Sequence, residues 1–137
     1  AYARAGRVAD SVTSYEAAIT LGRRDADTYT SLGAQLDKLG RTDRAIAFLF
    51  ESLRVRPDHI PTHKLLAAAY TRLGRHADAS QVYRQAARLA PGDHELLVDL
   101  GLALARAGDL EGAREQVVLL NLENPEAADR LRSLLGA

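Results

Sequence analysis

The chain contains no cysteine, no methionine and no tryptophan, and only two phenylalanines among its 137 residues. Without cysteine there is no disulfide framework, no thiolate metal site and no cysteine nucleophile, although compartment stays open. Net charge is missing too: 18 basic side chains balance 18 acidic ones, which excludes bulk attraction to a polyanion or an anionic membrane. No apolar run approaches the length that crosses a bilayer, and no glycine-rich phosphate loop is present. Lysine is scarce, with Lys38 and Lys64 standing against 16 arginines. Together with abundant alanine, this bias is what a GC-rich genome produces and suggests a bacterial source. What the chain does have is 47% apolar residues, enough for one folded domain at this length.

The apolar and punctuating residues recur every 34 positions. Gly6, Gly40, Gly74 and Gly108 form one column, and Pro57, Pro91 and Pro125 another. Ser11, Ala45, Ala79 and Ala113 make a small-residue column, and Tyr15, Leu49, Tyr83 and Val117 a bulky one. A third runs through Ala18, Ser52, Ala86 and Leu120, while Leu32, Leu66 and Leu100 are each followed by glycine or alanine. Several independent columns at one spacing identify a structural repeat.

Within a repeat, Tyr29, Leu32, Leu36 and Leu39 recur at steps of three and four, which predicts an amphipathic helix from Thr28 to Leu39. Gly40 ends it and Thr42 is placed to cap a second helix, whose buried face holds Ala45, Leu49, Ser52 and Leu53. Pro57 sets the exit turn. Residues 60–90 and 94–124 read the same way, with Asp93 placed as the cap of a first helix.

These residues resemble the tetratricopeptide repeat, a helix–turn–helix unit of the same length. Its pattern is met by Tyr29, Leu32-Gly33, Leu36, Gly40, Ala45, Leu49, Ser52 and Pro57, then by His63, Leu66-Ala67, Tyr70, Gly74, Ala79, Tyr83, Ala86 and Pro91. His63 in an aromatic position and Leu120 in a small-residue position depart from it. The resemblance implies an all-α, right-handed α-solenoid of antiparallel helix pairs. One domain over 1–137 is expected, with a truncated first repeat at 1–24 and full repeats at 26–59, 60–93 and 94–125. A capping helix follows at 126–137. Ala1 falls about ten residues into a repeat, so further chain is expected to precede it.

Catalytic chemistry is not expected. His59 and His63 have metal-ligand spacing, but Pro61 lies between them and His63 holds a packing position. Neither a metal nor any cofactor is expected. In the resembled family the first helices line a concave groove, which here presents Arg4, Lys38, Lys64, Leu65, Arg72, Val98, Leu102 and Arg106. Arg4, Lys38, Arg72 and Arg106 are all 34 apart. Each falls in the last turn of a helix, where a cation complements the helix dipole by about 0.3–1 kcal/mol. The row therefore serves the dipole, a ligand, or both. Leu65, Val98 and Leu102 form an apolar strip that either anchors a partner or packs on a neighbouring repeat. The carboxylate clamp that such repeats use on chaperone tails is absent, because Ala68 and Asp99 replace its polar residues.

The expected function is a non-catalytic scaffold that binds a protein or peptide with apolar anchors and acidic residues. Nucleic acid and membrane insertion are not expected. Two alternatives remain: a recruiting arm of a larger enzyme or secretion protein, and a unit that stacks on copies of itself. For the second, the charge distribution matters. Residues 1–91 carry 14 basic and 9 acidic side chains, whereas residues 92–137 carry 4 and 9.

Overall fold

Each predicted first helix ends in a turn that only glycine adopts without strain. At Gly40 φ is 79°, and the chain reverses with Arg41 N–H donating to Leu36 O at 2.9 Å and Gly40 N–H to Asp37 O at 3.0 Å. The same bonds recur at Arg75 N to Tyr70 O and at Asp109 N to Leu104 O. The computed structural model describes residues 2–136, with side chains from residue 6 onward. Among the described residues the chain forms eight α-helices and no strand. They are α1 (Tyr2–Thr20), α2 (Ala26–Lys38), α3 (Thr42–Val55), α4 (Ile60–Arg72), α5 (His76–Leu89), α6 (His94–Arg106), α7 (Leu110–Glu123) and α8 (Pro125–Leu134).

Two compact units result, Ala1–Ala69 and Tyr70–Ala137, and each is built from helix hairpins. In the first, Val12, Leu32, Leu36 and Ala45 form the core, with Tyr15, Ile19, Leu39 and Phe48 packed against it. Fully burying a leucine contributes roughly 1.5–3 kcal/mol, so Leu32 and Leu36 dominate the attachment of α2. Gly33 permits the close approach of α2 and α3. A Cβ there would lie 2.8 Å from Leu49 Cγ and 3.2 Å from the Ala45 carbonyl oxygen.

In the second unit, Leu100, Leu104 and Ala113 form one cluster with Tyr83, Leu97 and Leu135. Val98, Val117, Leu120, Ala127, Ala128 and Leu131 form another. Leu120 fits its small-residue column because the facing positions of α8 are the alanines 127 and 128. The start of α6 is tied to the end of α7 through His94. Asn124 Oδ1 accepts from Ala127 N–H, so its Nδ2–H group faces His94 Nδ1 at 3.3 Å. His94 therefore carries its proton on Nε2, which donates to Glu123 Oε2 at 3.1 Å.

Four local expectations change. Thr42 is not a cap: it begins α3 itself, is buried, and donates to Asp37 Oδ1 at 3.0 Å across the turn. Asp93 holds the cap position of α6 without a side-chain cap bond, whereas Asp25 accepts from Thr28 N–H at 2.7 Å and caps α2. Gly6 does not turn the chain: α1 runs through it, and unlike Gly40, Gly74 and Gly108 it has no positive φ. Pro125 opens α8 directly, because Asn124 caps that helix. Pro57 and Pro91 instead lie in turns ahead of the next helix.

Candidate functional site

The candidate face of each first helix carries small, polar and basic residues, with a leucine added on α4 and on α6. On α2 these are Ser31, Ala34 and Asp37, all half-buried, with Lys38 exposed in the last turn. On α4, Lys64 is exposed, Leu65 and Ala68 are half-buried, and Arg72 is exposed in the last turn. On α6, Asp99, Leu102 and Ala105 are half-buried and Arg106 is exposed in the last turn. Arg4 lies outside the residues whose side chains are described. Two second helices also end on cations, Arg54 on α3 and Arg88 on α5, whereas α1 and α7 have no basic residue in the last turn. Lys38, Arg72 and Arg106 each lie exposed in a last turn, a placement compatible with a dipole role and with a ligand contact alike.

One expected site residue is not on the surface. Val98 is 4% exposed and sits in the cluster closed by Ala127, Ala128 and Leu131 of α8. The last helix folds over the apolar strip of α6, and Leu102 packs partly against the same cluster. Of the strip, Val98 is core, while Leu65 and Leu102 stay half-buried. What survives as accessible surface on α6 is the edge of Leu102 with Ala105, flanked by Asp99 and Arg106.

Those two charges act on a third group. The Tyr83 phenol is pushed up to about 12, first by burial and next by Asp99, while Arg106 opposes the shift. The Tyr83 phenol on α5 thus lies within electrostatic range of Asp99 and Arg106 on α6. Only Asp99 and Arg106 of the three were legible as surface positions, because Tyr83 belongs to a packing column.

Sequence reasoning also missed a buried hydroxyl cluster in the first unit. Thr30 Oγ1 lies 2.6 Å from Ser52 Oγ and 2.7 Å from Thr62 Oγ1. Ser52 donates to Ala26 O at 2.9 Å, so it accepts from Thr30. Thr30 has then used its one proton and accepts from Thr62. Thr62 in turn accepts from His59 Nδ1–H at 2.5 Å, which fixes the proton of that ring on Nδ1. Asp27 Oδ1 lies 4.0 Å from His59 Nε2, too far for a hydrogen bond. The order hydroxyl, imidazole, carboxylate superficially suggests a nucleophile. Thr62, however, is 0% exposed and gives its proton to Thr30, so no substrate atom reaches an activated oxygen. His63 is also committed, donating from Nδ1 to His59 O at 3.0 Å.

Comparison with known proteins gives three results. Residues 70–137 match the family model of the tetratricopeptide repeat. A relative, the Drosophila melanogaster protein O-mannosyl-transferase Tmtc3, is 29% identical over 73 residues, which are 53% of this chain and 8% of that protein's length. Among solved structures, MamA superposes with a TM-score of 0.77 at 20% identity, covering 96% of this chain and 68% of its own. YrrB, described as a TPR protein with an unusual peptide-binding site, superposes with a TM-score of 0.77 at 16% identity, covering 96% and 69%. These likenesses show the fold, an all-α array of antiparallel helix pairs of the α-solenoid class.

Proposed function

Since the chain is a tetratricopeptide repeat protein, a fold that serves as a scaffold for protein–protein interaction, we propose that it binds a peptide or protein segment through the exposed faces of its first helices. The observation that carries this reading is the make-up of the α6 face: a shallow apolar floor of Leu102 and Ala105 beside the exposed Arg106. An apolar side chain of the ligand rests on that floor, and an acidic one meets the arginine. Burying a leucine-sized anchor contributes roughly 1.5–3 kcal/mol, while an exposed ion pair adds about 0.2–1 kcal/mol. The apolar contact therefore sets affinity, and Arg106 sets orientation and on-rate. In the first unit, Lys38 and Lys64 with the half-buried Leu65 offer the same chemistry on α2 and α4. That YrrB has a peptide-binding site supports a peptide as the ligand class.

The test is selection of a random peptide library on the immobilised protein, followed by anisotropy titration at low and high salt. Selected peptides should pair an apolar residue with Asp or Glu, and Arg106→Glu should weaken binding and flatten its salt dependence. Arg72→Glu should act in the same sense. Unchanged affinity in both reversals would leave the cations with the dipole role alone.

A further inference from the structure

The outward side of α7 carries a shallow groove of about 470 Å³ lined by Glu111, Arg114, Glu115, Val118 and Leu119. One turn on, Leu122 is 78% exposed, so three apolar side chains lie open to solvent on one helix face. The 34-residue register shows that this openness belongs to the position and not to the end of the chain. Val118, Leu119 and Leu122 correspond to Arg84, Gln85 and Arg88 of α5. α5 is followed in the same unit by a complete hairpin, with α6 packed on it and α7 on α6. Its three residues are exposed all the same. Where α5 places two arginines and a glutamine, α7 places a valine and two leucines next to two carboxylates. The corresponding face of α3 holds Ala47, Phe50 and Arg54, all exposed. Among the described residues Phe50 is the only exposed aromatic side chain.

We infer that the outward face of α7 is the contact for a second copy of this chain, which presents the outward face of its own α3. Run antiparallel, the two helices match in spacing. Ala47, Phe50 and Arg54 advance by three and then four, as do Leu122, Leu119 and Glu115 in reverse. Phe50 of one copy then rests on Val118 and Leu119 of the other, Ala47 covers Leu122, and Arg54 meets Glu115. Arg54 already pairs with Glu51 on its own helix at 3.1 Å, and Arg114 and Glu115 face that pair with the charges exchanged. Net charge acts in the same sense: residues 1–91 carry 14 basic and 9 acidic side chains, and residues 92–137 carry 4 and 9. The part of one copy that holds α3 therefore attracts the part of the other that holds α7. A second α7 fits worse, because antiparallel pairing sets Glu115 on Leu122 and parallel pairing sets carboxylate on carboxylate. α5 offers arginine and glutamine where three apolar side chains need cover. Both faces belong to second helices, so the inference stands apart from the peptide reading of the first helices.

Sedimentation velocity of the 137-residue chain, from about 10 µM to about 1 mM, reads the contact. One helix face on another makes a small interface, so the chain should be monomeric at the low end and associate as concentration rises, less so at high salt. Phe50→Asp alone and Leu119→Asp alone should each stay monomeric, with helical circular dichroism unchanged because both positions are exposed. An equimolar mixture of the two should form a one-to-one dimer, since one variant keeps its α7 face and the other its α3 face. Arg54→Glu and Glu115→Arg should each weaken association several-fold, and the chain carrying both should recover it. A wild-type chain that is monomeric throughout overturns the inference, as does a mixture that stays monomeric. So does association that survives Phe50→Asp, because another surface then covers α7.

Discussion

Adding one methyl group at each of two helical glycines should shift stability in opposite directions. Gly6 lies within α1 and Gly33 within α2, and replacing a helical glycine by alanine gains about 0.5–1 kcal/mol from backbone propensity alone. At Gly6 the new Cβ meets nothing within 4 Å, so the gain is realised. At Gly33 it meets Cγ and Cδ2 of Leu49 at 2.8 Å and the Ala45 carbonyl at 3.2 Å. Leu49 is fully buried, and moving its branch point displaces the whole side chain. Overpacking of this kind costs about 1–3 kcal/mol, which matches or exceeds the propensity gain and leaves Gly33→Ala destabilised by up to roughly 2.5 kcal/mol. The third repeat carries Ala67 in this column, so the obstacle is the leucine branch rather than the methyl group. Leu49→Ala, itself costing about 2–5 kcal/mol, should therefore make Gly33→Ala neutral or stabilising. Urea titration followed by helical circular dichroism, analysed as a double-mutant cycle, measures the coupling. If Gly33→Ala stabilises the wild-type background as much as Gly6→Ala does, the close approach of α2 and α3 does not limit this core.

Thr62→Val leaves Thr30 and His59 without their shared partner and should cost about 1–3 kcal/mol in the same urea assay; a change near zero would mean that the hydroxyl chain contributes nothing. Asp25→Ala should lower the melting temperature at neutral pH. The Thr28 backbone bond holds the Asp25 carboxyl below its ordinary value, so its stabilisation is complete above the unfolded pKa and fades as pH falls through the folded one. The melting curves of wild type and variant should converge in acid. Tyr83, raised from 10.0 to about 12, should be the late step in a spectrophotometric titration, assigned by its loss in Tyr83→Phe. Its raised value favours the folded state fully below pH 10, and that advantage should disappear as pH rises through about 12. Asp99→Asn should bring the step earlier and Arg106→Ala later.

The periodic columns were enough to place the helix hairpins, because glycine, proline and leucine act locally: each sets a turn, a stop or a buried stripe wherever it falls. Reading the surface was harder. Val98 looked accessible from its place on α6, and only α8, folding back with its two alanines and Leu131, decides that it is core. Thr42 has the composition of a cap, but its hydroxyl reaches Asp37 across a turn whose shape no propensity contains. Leu102 is half-buried against the cluster that α8 completes, whereas Arg106 was legible as exposed, since burial is set by the helix stripe. Tyr83 was not: it reads as packing and acquires its electrostatic role from Asp99 and Arg106 on the next helix.

The Thr30–Ser52–Thr62 cluster has a bearing on alignment. Leucine accepts leucine in its place, so a purely apolar contact tolerates one helix sliding along another by a turn, about 5.4 Å. Hydroxyls with one proton each do not. After such a slip Ser52 would lose both Thr30 and the Ala26 carbonyl and keep only a long 3.4 Å contact to Thr62, and a buried hydroxyl left short of partners costs about 1–3 kcal/mol. The cluster is thus a vernier: it joins α2, α3 and α4 at one setting, and makes neighbouring settings expensive in a chain whose repeats otherwise look alike.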